Sequence, residues 1–189
     1  MEPEHVRPRV YFDFSIGNYN ARRIVIELYD DKAPKTCKNF LLLINGTQPP
    51  LNCAGAYPGG FPRYIPVCYF GTAAHRLVPD VLVQFGDMSH MDGRGGILAL
   101  LAHLRTMPCE NLKWRRLNVA GLVCMASRGP DQVTSQFFIT LGDCEHLAER
   151  YTCFGIVVEG MDVLAEINRI QVDDDDRPRI PIIVMRCAE

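Results

Sequence analysis

The chain has 189 residues, of which 48% are hydrophobic and 22% are charged, a composition that predicts one soluble globular domain with a substantial core. Its formal net charge is −2 and its arginines are scattered, which argues against a nucleic-acid or anionic-membrane partner. No apolar run reaches the roughly eighteen residues of a membrane span, and the charged start MEPEHVRPR does not resemble a signal peptide, so we expect a cytoplasmic or nuclear protein.

The first part of the chain predicts a hairpin, a helix and a long loop. Residues 9–16 and 22–30 alternate apolar and polar side chains around the turn-forming pair Gly17-Asn18, which is typical of a β-hairpin. Pro34 suits the first turn of a helix and Gly46 suits its end, with apolar residues at helical spacing between them. Residues 45–68 carry five prolines and four glycines and are predicted to form a long irregular loop.

Strands dominate the predicted structure after residue 80. Strand-like runs occupy residues 81–85, 97–101, 121–126, 136–141, 153–158 and 181–187, and residues 161–170 have the spacing of an amphipathic helix. Many strands with two separated helices favour an antiparallel barrel whose ends are covered by helices, with a sandwich as the alternative. The acidic run 173–176 is predicted to be a solvated loop, because it lacks the spaced ligands of a calcium site.

The eight cysteines predict neither a disulfide framework nor a zinc site. They occur singly in apolar segments without C-x-x-C spacing, and the five histidines do not complete a zinc pattern with them. We therefore interpret the cysteines as buried thiols and expect no metal. Covalent catalysis is not predicted either, because Ser135 and His146 lack the sequence context of an activated nucleophile.

Two predicted strands carry polar residues on otherwise apolar faces. Because side chains alternate along a strand, Leu82 and Gln84 face the same side of one strand, and Gln136 and Phe138 share a face of another. Two such faces, with Arg76 nearby, are typical of a groove that holds a small or extended ligand. The alternative is that Arg76 and the two glutamines only satisfy backbone groups of a barrel.

Four segments of the sequence resemble one known family. They are FDFSIGNYNARRIVIELYDDKAPKTCKNF, HRLVPDVLVQFGDMSHMDGRGG, GLVCMASRGPDQVTSQFFIT and FGIVVEGMDVLAEI. In this order, and over nearly the whole chain, they resemble the cyclophilin family of peptidyl-prolyl isomerases, whereas residues 45–68 and 97–118 depart from the common pattern. The resemblance implies an all-β fold, a closed eight-stranded antiparallel barrel capped by two α-helices. We expect one such domain over residues 1–189, either whole or as part of a larger protein.

The resemblance implies a catalytic role for Arg76 and a supporting role for Gln84. In cyclophilins the arginine of the HR pair favours the twisted state of an X-Pro amide, and the glutamine hydrogen-bonds the arginine and the substrate. The barrier of about 18–20 kcal/mol comes from amide resonance, so a guanidinium aimed at the prolyl nitrogen or the neighbouring carbonyl lowers it without covalent chemistry. The implied partners are proline-containing peptide or protein segments, and no cofactor is expected.

Further residues are assigned to the substrate groove by the same resemblance. Those at the proline pocket are Val81, Leu82, Phe138, Leu147 and Tyr151, and His146 is a further substrate-binding residue. Those facing the substrate backbone are Ala126, Ser127 and Gln136. Those at the rim of the adjoining pocket are Arg94 and Arg128, which predict a preference for acidic peptides unless both are simply solvated.

Several groove residues depart from the family pattern. Leu82 and Ser127 replace the usual methionine and asparagine. Val81 stands where the family has a phenylalanine and Tyr151 where it has a histidine, so we expect a weaker grip on the prolyl ring. His146 replaces a tryptophan important for cyclosporin binding, and weak or no cyclosporin binding is therefore expected.

Three functions follow as alternatives. The first is a prolyl isomerase, active or weakened, because Arg76 and Gln84 are both retained. The second is a catalytically inactive module that binds a proline-containing segment, because Val81 and Tyr151 alter the pocket. The third is a protein contact made by the loop at 45–68, with a vestigial groove.

Overall fold

A computed structural model describes residues 5–46, 67–100 and 104–189 of the chain. The strands are β1 (Arg9–Ile16), β2 (Arg22–Leu28), β3 (Arg76–Val78), β4 (Leu82–Phe85), β5 (Leu122–Ser127), β6 (Val133–Thr140), β7 (Cys153–Glu159) and β8 (Ile182–Ala188). The helices are α1 (Pro34–Asn45) and α2 (Met161–Ile167), and a short 3₁₀ turn covers Glu145–Leu147. No helix in the described part of the chain is long and apolar enough to cross a membrane.

The eight strands form one antiparallel sheet in the order β3-β4-β6-β5-β7-β2-β1-β8. This confirms the predicted mainly-β fold with two helices, and the predicted hairpin is present as the ladder between β1 and β2. The sheet is curled into a half-barrel, and no ladder joins β3 to β8 within the described residues, so the predicted closed barrel is not shown. Residues 71–74, which precede β3, do hydrogen-bond β8, with Gly71 N to Val184 O at 2.8 Å and Ala74 N to Ile182 O at 2.9 Å.

The helix α1 begins with help from a distant loop. Its first turn has free backbone N–H groups, as every helix does, and none is capped by the residue before it. Glu110 supplies the missing acceptor, because its carboxylate receives the Thr36 N–H and the Thr36 hydroxyl, each at 2.9 Å. A negative charge at this position also interacts favourably with the helix dipole. Glu110 thereby ties the loop before β5 to the start of α1.

The apolar side chains divide into two clusters on opposite faces of the sheet. Alternation along β6 places Phe137 on the inner face of the curled sheet and Phe138 on its outer face. In the interior, Phe137 packs edge-on against Phe40 of α1 and against Tyr69, with ring centroids 5.2 Å apart in both cases. The outer cluster, which includes Phe138 and Leu82, is smaller and lies under the groove described below.

Two predicted elements differ from the sequence-based expectation. The strand predicted at 97–101 is absent over residues 97–100, because their N–H groups bond side chains rather than a neighbouring strand: Ala99 N and Leu100 N both donate to Asn39 Oδ1. The α2 helix ends at Ile167, three residues before the predicted end. The predicted loop at 45–68 lies mostly outside the described residues.

The cysteines are only partly the buried thiols that were expected. Seven are described and none of these forms a disulfide. Four are buried and three are partly exposed: Cys37, Cys124, Cys144 and Cys153 in the first group, and Cys68, Cys109 and Cys187 in the second. Burial raises the pKa of the Cys37 thiol well above its ordinary value, which makes this thiol unreactive.

Candidate functional site

A cavity of about 510 Å³ lies on the outer face of the sheet, over β3, β4, β5 and β6. Every groove residue predicted from the sequence lines it except Arg94, namely Arg76, Val81, Leu82, Gln84, Ala126, Ser127, Arg128, Gln136, Phe138, His146, Leu147 and Tyr151. The structure thus brings together residues that are up to 75 positions apart in the chain, from Arg76 to Tyr151. The cavity is lined by both polar and apolar side chains.

Arg76 and Gln84 lie directly opposite each other in the cavity. They are register partners in the ladder between β3 and β4. The turn that joins these strands is fixed to the end of α2, because Asp80 N donates to Asn168 Oδ1 at 2.7 Å and Asn168 Nδ2 donates to Asp80 Oδ1 at 2.8 Å. This reciprocal pair holds the β3–β4 hairpin in place, and with it the two predicted catalytic residues.

The amide of Gln84 is oriented by a chain of hydrogen bonds. Gln136 Nε2 donates to the carbonyls of Gly93 at 2.9 Å and Gly95 at 2.7 Å, so its Oε1 must act as acceptor. Gln84 Nε2 donates to that oxygen at 2.7 Å. Gln84 is therefore held with its amide nitrogen toward Gln136 and with its own Oε1 free of that contact.

The loop after β4 that supplies the two glycine carbonyls is organised by Asp87. This carboxylate is buried and accepts hydrogen bonds from the backbone N–H groups of Ser89, His90, Asp92, Gly93 and Gly95. Burial raises the pKa of Asp87, but the backbone hydrogen bonds lower it by more, and the net pKa lies well below the ordinary value. Asp87 is therefore ionised at neutral pH and fixes the loop that orients Gln136 and Gln84.

The guanidinium of Arg76 has a different partner from the one that the resemblance implies. Its Nε donates to Asp176 Oδ2 at 3.4 Å, and no hydrogen bond joins it to Gln84 in the described part of the chain. The Arg76 side chain is 50% exposed, so it remains accessible to a ligand in the cavity. Asp176 belongs to the acidic run predicted to be a solvated loop, and its carboxylate was not expected near the groove.

The apolar end of the cavity is a pocket built by the outer cluster. Phe138 is 2% exposed and forms its base, and the ring of Tyr151 meets it edge-on with centroids 5.2 Å apart. Leu82 and Leu147 complete the wall. The backbone of Val81 is held by Cys144, whose Sγ donates a hydrogen bond to Val81 O at 3.0 Å. A prolyl ring is a ligand of the size and polarity that such a pocket accepts.

The other end of the cavity is polar and was only partly predicted. Its lining includes five residues that were not predicted as site residues: Gly93, Gly95, Thr106, Gln132 and Thr134. Arg128 Nη2 donates to Gly93 O at 3.0 Å and thereby lies in this lining. Arg94 lies outside it, 81% exposed, with its Nε donating to Asp92 Oδ2 at 2.7 Å. Thr106 falls in the segment 97–118, which departs from the common family pattern, so the resemblance did not identify it.

His75, next to Arg76 in the chain, is buried and lies against Gly93. Neither of its ring nitrogens has a hydrogen-bond partner among the described residues. Burial lowers the pKa of His75, with a smaller opposing effect from Asp87, which favours the neutral ring. Within the described ranges no three His, Cys, Asp or Glu residues are grouped as a metal site would require.

Comparisons with known proteins agree with this arrangement. The model of the family described as "Cyclophilin type peptidyl-prolyl cis-trans isomerase/CLD" matches residues 11–189. "Peptidyl-prolyl cis-trans isomerase cyp11" of Rhizopus delemar is 36% identical over 184 residues, which cover 97% of this chain and 51% of that protein. "NK-tumor recognition protein" of Mus musculus and of Homo sapiens is 35% identical over 184 residues, 96% of this chain and 12% of theirs.

The chain therefore spans about half the length of the fungal relative and a much smaller share of the two mammalian ones. The family match covers nearly all described strands, both helices and every residue of the cavity lining. It also agrees with the resemblance carried by the HR pair and the SQFFIT segment. The chain belongs to the cyclophilin-type peptidyl-prolyl cis-trans isomerase family.

Proposed function

We propose that this chain catalyses cis–trans isomerisation of X-Pro bonds in peptide or protein substrates. The observation that carries the proposal is the placement of Arg76, opposite Gln84 and in the same cavity as an apolar pocket. A ligand whose ring enters the pocket formed by Leu82 and Phe138 lies within the same cavity as the guanidinium. Family membership supports the proposal independently.

The chemistry needs only a positive charge in the right place. Rotation about an X-Pro bond is slow because resonance between nitrogen and carbonyl is lost in the twisted state. A guanidinium that interacts with the prolyl nitrogen lone pair, or with the adjacent carbonyl, stabilises the twisted state more than the planar one. Each 1.36 kcal/mol of such differential stabilisation gives about a tenfold faster reaction. No nucleophile, metal or cofactor enters this mechanism.

Gln84 contributes by position rather than by charge. Its amide nitrogen is committed to Gln136, so its Oε1 is the atom available to accept from Arg76 or from a substrate N–H. The chain of hydrogen bonds that sets this orientation runs back through Gln136 to Gly93 and Gly95. A preorganised acceptor avoids the energetic cost of reorientation during the reaction.

The substitutions at the pocket weaken substrate binding without removing it. Val81 offers less apolar surface than a phenylalanine, and about 40–60 Å² of lost contact corresponds to roughly 1–1.5 kcal/mol, or about tenfold in affinity. The ring of Tyr151 packs on Phe138 and occupies part of the pocket wall. With His146 at the cavity edge in place of a tryptophan, cyclosporin binding is weak.

Specificity beyond proline depends on the polar end of the cavity. Arg128 lies in its lining, which supports a preference for substrates with an acidic residue near the proline. Arg94 is paired with Asp92 and contributes less to this preference.

Other expectations from the sequence stay predictions. They are a single domain over residues 1–189, a cytoplasmic or nuclear location, and the absence of nucleic-acid and membrane partners. Closure of the barrel belongs with them, and the hydrogen bonds between residues 71–74 and β8 support it. The role of the loop at 45–68 also stays open to test.

The test is two-dimensional exchange NMR on a short Ala-Pro peptide with catalytic amounts of the chain. We expect accelerated cis/trans exchange that largely disappears in Arg76→Ala and persists in Arg9→Ala, a matched change on the exposed side of β1. Shifted peptide signals without acceleration would show a proline-binding module instead of an isomerase. Absence of any effect would exclude the groove as the functional site and direct attention to the loop at 45–68.

A further inference from the structure

The acidic run 173–176 reaches the groove through one specific contact. Asp176 Oδ2 lies 3.4 Å from Arg76 Nε, and this is the only side-chain hydrogen bond of Arg76 within the described residues. Asp176 is 100 positions away in the chain and lies in the connection between α2 and β8. The two side chains are 50% and 45% exposed, so their contact is at the surface of the cavity.

The backbone of the acidic run is fixed against β3. Leu77 N, one residue after Arg76, donates to Asp176 O at 2.7 Å. The turn is held internally as well, because Asp173 Oδ1 accepts from the backbone N–H groups of Asp175 and Arg177 at 3.0 and 2.9 Å. Asp176 itself adopts φ +60, a left-handed conformation that few residues other than Gly, Asn and Asp tolerate. The carboxylate is therefore presented to Arg76 by an ordered turn.

We infer that Asp176 is a positioning residue for Arg76 in the proposed isomerase reaction. An arginine side chain has several rotatable bonds, and holding it at a developing lone pair requires at least one fixed partner. Gln84 offers a single free oxygen, whereas the Asp176 carboxylate engages Nε and leaves both Nη groups available to the substrate. The inference rests on the proposed function, because a positioning role requires that Arg76 acts on a substrate.

The contact is expected to be modest in energy and sensitive to salt. Exposed pairs of this kind contribute up to about 1 kcal/mol, and about 0.4–1 kcal/mol corresponds to a two- to fivefold effect on a rate. Screening between exposed charges increases as the Debye length falls to about 3 Å near 1 M salt. The hydrogen bonds of Gln84 are between neutral groups and do not share this salt dependence.

The left-handed backbone conformation of Asp176 determines which substitutions can test the contact without disturbing the turn. Asp176→Gly removes the carboxylate at a position whose φ +60 suits glycine, so the turn is retained. Asp176→Asn also tolerates this conformation and keeps an oxygen acceptor while removing the charge. Asp175→Asn is the matched control, because Asp175 is exposed in the same turn and its side chain makes no hydrogen bond to Arg76.

The first measurement uses the free chain and needs no activity. We expect the Arg76 Nε–Hε NMR signal to move, and its exchange with solvent to accelerate, in Asp176→Gly. The signal should change less in Asp176→Asn and stay unchanged in Asp175→Asn. An Nε–Hε signal that is the same in Asp176→Gly and in the unaltered chain would overturn the inference.

The second measurement is peptide exchange at low and high salt. We expect Asp176→Gly to lower the exchange rate of bound Ala-Pro peptide about two- to fivefold at low salt, with unchanged peptide affinity and a smaller effect near 1 M salt. In the Arg76→Ala background the same substitution should have no further effect. A loss that persists in that background would indicate a structural role and contradict the inference. If Arg76→Ala itself left the exchange rate unchanged, the proposed function would fail. The Nε–Hε signal would still show whether Asp176 contacts Arg76, because that measurement does not depend on activity.

Discussion

The substitution Gln136→Glu tests whether the hydrogen-bond chain behind Gln84 matters for activity. Gln136 is 5% exposed and donates from one nitrogen to the carbonyls of Gly93 and Gly95. A carboxylate of nearly the same shape cannot donate, so Gly95 O loses its side-chain donor, Gly93 O keeps only Arg128 Nη2, and both carbonyls face a negative charge. At about 1–3 kcal/mol for an unsatisfied buried group, the loss at Gly95 O alone is about 1–3 kcal/mol.

Two assays separate the consequences of Gln136→Glu. We expect kcat/KM for an Ala-Pro peptide to fall at least about tenfold, because the two carbonyls repel the carboxylate and displace the oxygen that orients Gln84. We also expect partial recovery at acidic pH, where the new carboxyl group becomes protonated and can donate one hydrogen bond. Gln171→Glu, an exposed glutamine outside the cavity lining, is the control for added charge. If Gln136→Glu behaved like Gln171→Glu, the proposed role of the hydrogen-bond chain would be refuted.

Three further predictions concern the stability of the fold and its affinity for peptide substrates. Glu110→Ala removes the acceptor at the start of α1 and should lower the free energy of unfolding in urea by about 1–2 kcal/mol, whereas no change would contradict the capping role. The folded pKa of Asp87 is depressed, so its stabilising contribution is present above the unfolded pKa of about 3.9 and is lost as pH falls toward the folded value. Asp87→Asn should therefore destabilise the chain at pH 7 more than at pH 2.5; equal losses at both would exclude this linkage. Val81→Phe should tighten binding of an Ala-Pro peptide about tenfold by calorimetry, and unchanged affinity would show that Tyr151 already fills the space.

Much of the groove could be predicted because strand alternation is a local signal. Leu82 and Gln84 share a face of β4, and Gln136 and Phe138 share a face of β6, and all four line the cavity. The family resemblance identified Arg76 as a groove residue, although β3 is only three residues long and has no periodicity of its own. The sequence therefore predicted which residues line the groove better than it predicted the hydrogen bonds among them.

The hydrogen bonds among the groove residues could not be predicted because they depend on tertiary contacts. The acceptor role of Gln136 Oε1 is set by two carbonyls of a loop that Asp87 organises, and no residue pattern indicates this arrangement. The same reason explains the apolar segment at 97–100, which resembles a strand in sequence but bonds the Asn39 side chain. Asp176 was assigned to solvent because a run of four acids is typical of a surface loop.

The central claim is that Arg76 accelerates isomerisation through its fixed, planar guanidinium, and Arg76→Lys tests it most directly. Lysine keeps the positive charge but lacks the planar set of donors. At saturating Ala-Pro peptide, the claim predicts that Arg76→Lys lowers the cis/trans exchange rate at least about tenfold, or about 1.4 kcal/mol, with peptide affinity within about twofold of the unaltered chain. An exchange rate in Arg76→Lys equal to that of the unaltered chain would contradict the claim.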